Sequence, residues 1–367
     1  MKMREIFILI FFSAVISARA QIIESERVFP PLLDGKDSCF LRTDQECIGS
    51  ISLVAVGDLM LGGSALSIIR QKGANYPFDA CRTILQSADI AFGNLEAPFT
   101  KGGEPFDKTF TFRVPPEFGQ GVSQAGFDVL SLANNHILDY GMEGLFSTLH
   151  VLDSLRIAYC GAGESEEEAE SAVVLRRGGF RVGFLAYSMT YPDAFWATKK
   201  KGGTAYPYLS RLKKSLYLLQ EKTDLIVVSF HWGEELKAKP KPYQRLYAHC
   251  AVDWGADLVV GHHPHVLQGL ELYKGVLIAY SLGNFVFGSY SRHARESIIL
   301  KVRFDRQGFL LAEIIPISVC NDEVQFQPRV LDARDRDKVI QKINEISTEL
   351  NQGRRVLRDS GLVVVDQ

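Results

Sequence analysis

The sequence predicts an α/β fold with a mixed sheet system, and three observations support this prediction. The chain has 367 residues, 46% of them hydrophobic, which is enough for one large core or two ordinary ones. From Ile51 onward, short apolar runs of strand length alternate with segments of helical pattern. The stretch "VVLRRGGFRVGFLAYS" also predicts a hairpin that turns at Gly178 and Gly179, so some strands are antiparallel.

Residues 1–20 have the features of a secretory signal peptide. A basic start, "MKMRE", is followed by the apolar core "IFILIFFSAVI" and by "ARA" before Gln21. The apolar core is shorter than the about 20 residues that span a bilayer. We therefore expect an exported protein that is periplasmic, at the cell surface or extracellular, with an uncleaved N-terminal membrane anchor as the alternative. Residues 21–49 are predicted to form an irregular lead-in, since "PPLLDGKDS" favours turns.

Seven apolar runs then predict strands, each followed by turn residues or a helical segment. In chain order they are "ISLVAVG", "ADIAFG", "FDVLSLA", "RVGFLAYS", "DLIVVSF", "ADLVVG" and "GVLIAYS". The later stretch "SIILKVRFDRQGFLLAEIIPISV" predicts a further antiparallel pair. Asp332 then caps a predicted helix that ends near Gly353, with apolar positions at spacings of three and four. These positions are Val339, Ile343, Ile346 and Leu350.

The acidic run and the cysteines have ordinary structural explanations. Glutamates in "GESEEEAES", residues 163–171, are typical of the solvated first turn of a helix, because the helix dipole favours them there. Cys39 and Cys47 enclose a short polar stretch and could form a small disulfide loop in an oxidising compartment. The cysteines form no C-x-x-C pair, which argues against a zinc ribbon. Cys81, Cys160 and Cys250 are expected to be isolated small apolar residues.

Polar residues that can bind metal ions or transfer protons stand at six predicted strand ends. Because the carboxyl ends of neighbouring strands in an α/β sheet converge on one crevice, these residues are expected to meet there. The set comprises Asp58, Asn94 and Glu96, then Asn134, Asn135 and His136, then His231, then His262, His263 and His265, and finally Asn284.

Each of these residues alone also has an ordinary explanation. Asp58 suits a turn or a helix cap, Asn135 suits a left-handed turn position, and His231 suits a hydrogen-bonded histidine under a loop. Together, however, carboxylates, amides and imidazoles at one rim predict a site for a divalent metal. Pro264 restricts the backbone of His263, and we expect this to direct alternate imidazoles toward one site.

The chemistry of these groups suggests roles for them. A carboxylate such as Glu96 can bridge two cations, while Asp58, Asn135 and imidazoles complete the ligand shells. A histidine that is not a ligand can protonate a leaving group, and His136 is the candidate because it adjoins Asn135. Catalysis by a serine nucleophile fits less well, since Ser281 lacks a G-x-S-x-G elbow. Nucleotide binding by a P-loop also fits less well, since the chain has no such motif.

Six motifs in one order resemble the bacterial capsule-synthesis proteins of the CapA or PgsA type, which are associated with poly-γ-glutamate. They are "VAVGDLML", "FGNLEAPF", "LSLANNHILDYG", "VVSFHWGEE", "VVGHHPHVLQGLE" and "YSLGNFVFG". The resemblance extends from about Ile51 to about Val319. It implies a fold related to calcineurin-like metallophosphoesterases, an α/β/β/α sandwich of two sheets flanked by helices. We accordingly assign residues 50–319 to this domain and residues 320–367 to a C-terminal extension with one helix.

The resemblance also implies roles for individual residues. Asp58 matches the first aspartate of the phosphoesterase pattern, and Glu96 stands where that pattern has a bridging aspartate. Asn135 with His136 matches the Asn-His pair, and His231 matches the middle histidine. His263 and His265 fit the final Gly-His-x-His spacing, whereas His262 is left as an alternative ligand or a supporting group. Met60 replaces a ligand histidine of the pattern, so one or two ions of the Mn, Zn or Fe type are expected.

Two functions follow as expectations. The first is an exported hydrolase of capsule or surface-polymer metabolism that uses metal-activated water, with His136 as acid, on a phosphoester or amide-linked substrate. The second is a non-catalytic accessory or polymer-binding component that works with membrane proteins of a capsule synthesis or export complex. Nucleic acid is not an expected partner, because 41 basic residues are balanced by 43 acidic ones.

Overall fold

Two β-sheets face each other at the centre of the protein. The computed structural model describes residues 21–23 and 49–363. The predicted signal peptide, the rest of the lead-in and the Cys39–Cys47 loop lie outside these residues. The strands are β1 Gln21–Ile23, β2 Ile51–Met60, β3 Ile90–Leu95, β4 Val129–Ser131, β5 Ala158–Cys160, β6 Ala162–Gly163, β7 Val173–Arg177, β8 Phe180–Ser188, β9 Gly203–Thr204, β10 Leu225–His231, β11 Leu258–His262, β12 Leu270–Tyr273, β13 Val276–Ala279, β14 Asn284–Phe287, β15 Glu296–Asp305, β16 Gly308–Ser318 and β17 Arg329–Val330.

Helices pack against the outer face of each sheet, and the last helix joins the cluster between the sheets through Val339, Ile340 and Ile343. The helices are α1 Ala65–Lys72, α2 Arg82–Gln86, α3 Gly119–Ala125, α4 Gly141–Leu155, α5 Glu166–Ala169, α6 Leu209–Gln220, α7 Pro242–Asp253, α8 Asn321–Val324 and α9 Ala333–Ser347. In the part of the chain that the structure describes, none of them is long and apolar enough to cross a membrane.

Each sheet contains a set of neighbouring parallel strands with antiparallel strands beside it. The first sheet has the order β17-β16-β15-β2-β3-β4-β5, and β14 pairs with β2 outside this path. The second sheet has the order β1-β7-β8-β10-β11-β13-β12. Strands β2 to β5 run parallel to one another, as do β8, β10, β11 and β13. The carboxyl ends of these strands therefore gather at one edge of each sheet.

Apolar side chains fill the space between the sheets and the space under the helices. Between the sheets, Phe92 of β3 stacks on Phe184 of β8 with ring centroids 5.8 Å apart. A second cluster joins the outer face of the first sheet to α1 through α4, and a third joins the outer face of the second sheet to α6 and α7. The predicted α/β/β/α sandwich is confirmed.

Both predicted hairpins are present. Strands β7 and β8 pair antiparallel around Gly178 and Gly179, whose φ angles of 55° and 79° favour glycine. Strands β15 and β16 form the later antiparallel pair. A further strand lies where irregular structure is expected, because Gln21–Ile23 pairs with Val173, Val174 and Leu175 of β7.

Helix α9 begins where the sequence predicts and ends earlier. The side chain of Asp332 accepts a hydrogen bond from the backbone N–H of Asp335 at 3.0 Å, which caps the helix. The predicted end near Gly353 is wrong, since the helix stops at Ser347. The side chain of Asn351 instead bonds the backbone of β12, at 3.0 Å to the N–H of Leu272 and 2.8 Å to the carbonyl of Leu270. This tertiary contact favours a turn after Ser347.

The acidic run forms the short helix α5, as predicted. Ser165 caps it by accepting a hydrogen bond from the N–H of Glu168 at 3.1 Å. Arg211 of α6 pairs with both Glu166 and Glu170, so these carboxylates already have a cationic partner. The four described cysteines are unpaired, and they are Cys81, Cys160, Cys250 and Cys320.

Candidate metal centre

The residues predicted to bind metal lie together where strands of both sheets end. Donor atoms of Asp58, Glu96 and His231 lie within 4.8 Å of one another, and so do donor atoms of Glu96, His263 and His265. Glu96 belongs to both groups. Asn135 joins them, since its Oδ1 lies 2.7 Å from Nε2 of His231. The first sheet supplies the carboxylates and the amide, and the second sheet supplies the imidazoles.

A close approach of two backbone segments fixes Asp58. The residue lies inside β2, near a register shift between Ala55 and Asp58, rather than after the strand. Its backbone N–H donates to the carbonyl of Gly283 at 3.1 Å. A Cβ atom on the neighbouring Gly57 would lie 1.9 Å from that same carbonyl oxygen, so glycine is required there.

The histidine loop has an unusual backbone. His263 and His265 have φ angles of 95° and 58°, a region that side chains other than glycine rarely occupy. Such strain is often stored where side chains must be held in place. The backbone N–H of His263 donates to Oδ2 of Asp58 at 3.3 Å. The ring centroids of His231 and His263 lie 4.8 Å apart, and those of His263 and His265 lie 5.8 Å apart.

Hydrogen bonds to acceptor oxygens orient two of the imidazoles. Nδ1 of His265 lies 3.0 Å from Oδ1 of Asn284 and 3.2 Å from Oδ2 of Asp58. Because these oxygens accept, Nδ1 carries the proton and Nε2 is left to bind a metal. His262 is fully buried, and its Nδ1 lies 3.1 Å from Oδ1 of Asp58. This contact makes His262 a group that orients the carboxylate of Asp58.

Buried atoms without partners show that the site fits a cation. Among the described residues, Oε1 of Glu96, Nε2 of His262 and Nδ1 of His263 are buried and have no hydrogen-bond partner. Such unsatisfied groups are rare in folded proteins, and a cation would satisfy the carboxylate oxygen and an imidazole nitrogen together. Mixed oxygen and imidazole donors suit divalent transition metals.

Burial and neighbouring carboxylates make Glu96 favour its protonated form, and a bound cation would take the place of that proton. Burial, together with the nearby charges of Asp58 and Glu235, raises the pKa of Glu96 well above its usual value. Burial alone would raise the pKa of Asp58, but hydrogen bonds with His262 and His265 hold it well below the usual range.

Two of the imidazoles resist protonation. Burial and the neighbouring His265 lower the pKa of His263 to about 3. Burial and the neighbouring His263 likewise lower the pKa of His231 well below its usual value. Both rings are therefore neutral near pH 7, which is the form that binds metal ions.

His136 lies beside this cluster and forms a pair with Asp139. Its Nδ1 lies 2.7 Å from Oδ2 of the fully buried Asp139, and its Nε2 has no hydrogen-bond partner among the described residues. Burial lowers the pKa of His136, while the hydrogen bond with Asp139 opposes that shift. Nζ of Lys108 lies 3.1 Å from the same Nδ1.

Sequence reasoning assigned no role to three residues of this site. Asp139 follows His136 by three positions in "NNHILDYG", a spacing that could have identified it. Asn94 was noted only as a strand-end residue, yet its Nδ2 lies 2.9 Å from Asp58 Oδ1, 3.4 Å from Glu96 Oε2 and 3.3 Å from His231 Nδ1. Lys108 lies in an irregular segment, and no pattern in the sequence points to it.

Comparisons with known proteins identify one matching family and several similar proteins. Residues 52–289 match the family described as bacterial capsule synthesis protein PGA_cap. The capsule biosynthesis protein CapA of Bacillus anthracis is 33% identical over 303 residues, which cover 80% of this chain and 73% of that protein. The PGA biosynthesis protein CapA of Bacillus subtilis (strain 168) is 33% identical over 279 residues, covering 73% and 72%. A probable polyglutamine synthesis accessory protein of Mycobacterium tuberculosis is 28% identical over 225 residues, covering 58% and 59%.

Solved structures include more distant likenesses. A 5'-nucleotidase precursor from Thermus thermophilus aligns with a TM-score of 0.41 and 17% identity over 77% of this chain and 54% of that one. A 5'-nucleotidase from Candida albicans aligns with a TM-score of 0.45 and 13% identity over 82% of this chain and 58% of that one. The chain thus spans just over half the length of each of these two nucleotidase chains.

Proposed function

Because the chain belongs to the bacterial capsule synthesis protein PGA_cap family, we propose that it is a metal-dependent hydrolase of capsule or surface-polymer metabolism. One observation carries the proposal. Glu96 is buried, has an unpartnered Oε1, and belongs to two groups of metal-competent donors at once. A carboxylate placed in this way suits one divalent ion, or a pair that shares it.

The residues divide into those that hold the ion and those that move a proton. Asp58, Glu96, Asn135, His231, His263 and His265 would hold one or two divalent ions of the Mn, Zn or Fe type. A bound ion of this kind supplies polarisation of a phosphoryl or carbonyl oxygen and makes water more acidic. His136 would donate a proton from Nε2 to the leaving oxygen or nitrogen, while Asp139 holds Nδ1. The bond broken would be a phosphoester or an amide.

A second function is favoured by Met60. This residue is fully buried in β2, two positions after Asp58, where the phosphoesterase pattern has a ligand histidine. A site with one imidazole fewer suits binding of a polymer through a cation, without turnover. The chain would then be an accessory of a polymer synthesis or export complex and would contact its membrane proteins.

We place either function outside the cytoplasm. The basic start, apolar core and "ARA" cleavage sequence of residues 1–20 support export, with an uncleaved anchor as the alternative. The names of the two CapA relatives, which refer to capsule and PGA biosynthesis, support a location at the cell surface.

Metal analysis combined with hydrolysis assays tests the proposal. The purified protein, reconstituted with Mn²⁺, Zn²⁺ or Fe²⁺, is assayed on generic phosphodiesters and on γ-glutamyl peptides. We expect bound metal and turnover in the wild type, loss of both in His263→Ala, and bound metal with turnover about 10²–10⁴-fold slower in His136→Ala. A protein that takes up no divalent metal would contradict the proposal. Bound metal without turnover on any substrate would favour the accessory function.

A further inference from the structure

Lys108 lies on the segment 101–113, which carries none of the candidate metal ligands and yet packs beside His136. Its side chain is only 18% exposed, and its Nζ lies 2.5 Å from Oδ1 of Asp139. The same Nζ donates a hydrogen bond to the backbone carbonyl of Asn135. A lysine this buried normally has a partner, and here the partner is the carboxylate that contacts His136.

Asp139 connects the segment to His136. Its Oδ2 accepts the backbone N–H of Phe112 at 2.7 Å and lies 2.7 Å from Nδ1 of His136. Its backbone carbonyl accepts the N–H of Phe106 at 2.8 Å. Hydrogen bonds thus join the segment to Asp139 on both sides of Lys108. They fix the position of the lysine.

These contacts decide which nitrogen of His136 carries the proton. An ionised carboxylate can only accept, so the 2.7 Å contact is a hydrogen bond only if Nδ1 is protonated. A protonated Nδ1 cannot accept from Lys108, which therefore contacts it without bonding and pairs with Asp139 instead. The lysine and the imidazole hold different oxygens of one carboxylate, and this sets the orientation of the carboxylate.

Aromatic rings hold the segment in place. Nζ of Lys108 lies 5.2 Å from the ring centroid of Phe195, which contacts Phe106 edge to face at 4.9 Å. The rings of Phe112 and His136 lie 4.8 Å apart. Packing on both sides of Lys108 limits the movement of its side chain.

We propose that Lys108 is a positioning residue, which fixes the carboxylate of Asp139 and thereby holds His136 with a proton on Nδ1, so that Nε2 is the nitrogen that takes up and then donates a proton. Without the lysine, Asp139 would be a buried charge that lacks its cation, and it would turn or take up water. The functional meaning rests on the role proposed for His136. The fixed proton position itself is a property of the folded protein with or without turnover.

Nitrogen-15 NMR of the histidine side chains tests this inference on the full chain, first metal-free and then with Zn²⁺. The variants are Lys108→Met, which removes the charge, and Lys108→Arg, which keeps it. Lys101→Met is the matched control, because Lys101 is on the same segment, exposed, and paired with Glu117 at the surface at 3.1 Å. Thermal unfolding shows that each variant is folded.

We expect the wild type to show one tautomer of His136, with a slowly exchanging Nδ1 proton. Lys108→Met should lose this signal or split it between two tautomers, whereas Lys108→Arg and Lys101→Met should retain it. A wild-type signal in Lys108→Met, or mixed tautomers in the wild type, would overturn the inference. If Lys108→Met does not fold, Lys108→Gln is judged by the same outcomes. A single tautomer in a protein without turnover would count against the proposed function and leave this inference standing.

Discussion

Asn94 contacts three candidate ligands without belonging to the predicted ligand set. It is fully buried, and its amide nitrogen reaches Asp58, Glu96 and His231. Groups that orient metal ligands typically contribute 10–100-fold to metal affinity. We therefore expect Asn94→Ala to weaken divalent-metal binding by about 10–100-fold in competition calorimetry.

Asn75 provides the control for this measurement. Its side chain bonds Gln124 in an exposed contact away from the metal centre, so Asn75→Ala removes an asparagine hydrogen bond elsewhere. The two variants should differ in metal affinity and not in fold. Equal affinities would show that Asn94 does not organise the ligands.

His263 should make the stability of the metal-free protein depend on pH. Its pKa is about 3 in the folded protein, because of burial and the neighbouring His265, whereas an unfolded histidine has a pKa near 6.5. Below about pH 6.5 the unfolded chain binds the additional proton, so the free energy of unfolding falls as the pH drops toward 3. At pH 5 the loss from this residue is about 2 kcal/mol relative to pH 7.5.

Urea unfolding of metal-free protein at these two pH values measures the effect. His263→Asn removes the titrating group, and asparagine tolerates the positive φ of this position better than most residues. The variant should lose about 2 kcal/mol less than the wild type on acidification. The same loss in both proteins would assign the pH dependence to other groups.

At the residue level, the sequence could predict ligands but not the groups that position them. Asp58, Glu96 and His231 stand at the ends of apolar runs, so topology alone brings them to one edge. Lys108 reaches Asp139 from an irregular segment whose path depends on aromatic packing with Phe195. Such contacts leave no periodic signal along the chain.

At the level of elements, the approach of β2 to the Gly283 segment positions Asp58. Gly57→Ala places a methyl group 1.9 Å from the Gly283 carbonyl oxygen, so the two segments must separate. We expect a loss of about 1–3 kcal/mol in urea unfolding, together with weaker metal binding in calorimetry.

Gly178→Ala is the matched control for Gly57→Ala, because it introduces backbone strain in a hairpin and leaves the contact of β2 with Gly283 unchanged. Gly178 has a φ of 55° and no atom near its Cβ position, and it lies in the hairpin between β7 and β8. The variant should lose about 1–2 kcal/mol and bind metal as the wild type does. If Gly57→Ala also bound metal normally, the strand contact would not set the position of Asp58.

The boundaries of elements were less predictable than their existence. The capped start of α9 follows from Asp332, whose side chain makes a local hydrogen bond. Its end depends on Asn351 bonding to β12, a distant part of the chain. Asp58 likewise lies within β2 rather than after it, because pairing with β14 extends the strand to Met60.

At the scale of the whole molecule, a bound ion would connect the two sheets. Its ligands come from β2 and the segments after β3 and β4 in one sheet, and from β10 and the segment after β11 in the other. An ion that binds only the folded protein stabilises it by about 2.7 kcal/mol at 100 times its dissociation constant. Chelation should therefore lower the melting temperature measured by calorimetry, and His263→Ala should reduce this shift. A melting temperature that does not respond to divalent metal would contradict this expectation.

The overall architecture was predictable in part. Alternation of apolar runs with helical segments indicates an α/β fold, whereas two facing sheets followed only from the family resemblance. Pattern alone cannot show that β14 to β16 leave the neighbourhood of the second sheet and join the first sheet. That choice depends on contacts between residues far apart in the chain.

The order of strands in the first sheet has a consequence for when the site can exist. Asp58 and His262 are separated by 204 residues, and β14 and β15, which pair with β2, come after all of the clustered histidines. Closing so long a loop costs conformational entropy and is slow. It must occur before the contacts between its ends can stabilise the fold. An ion bound at the proposed site would therefore be captured only after the two sheets have come together, and we expect a chain that ends before β14 to bind none.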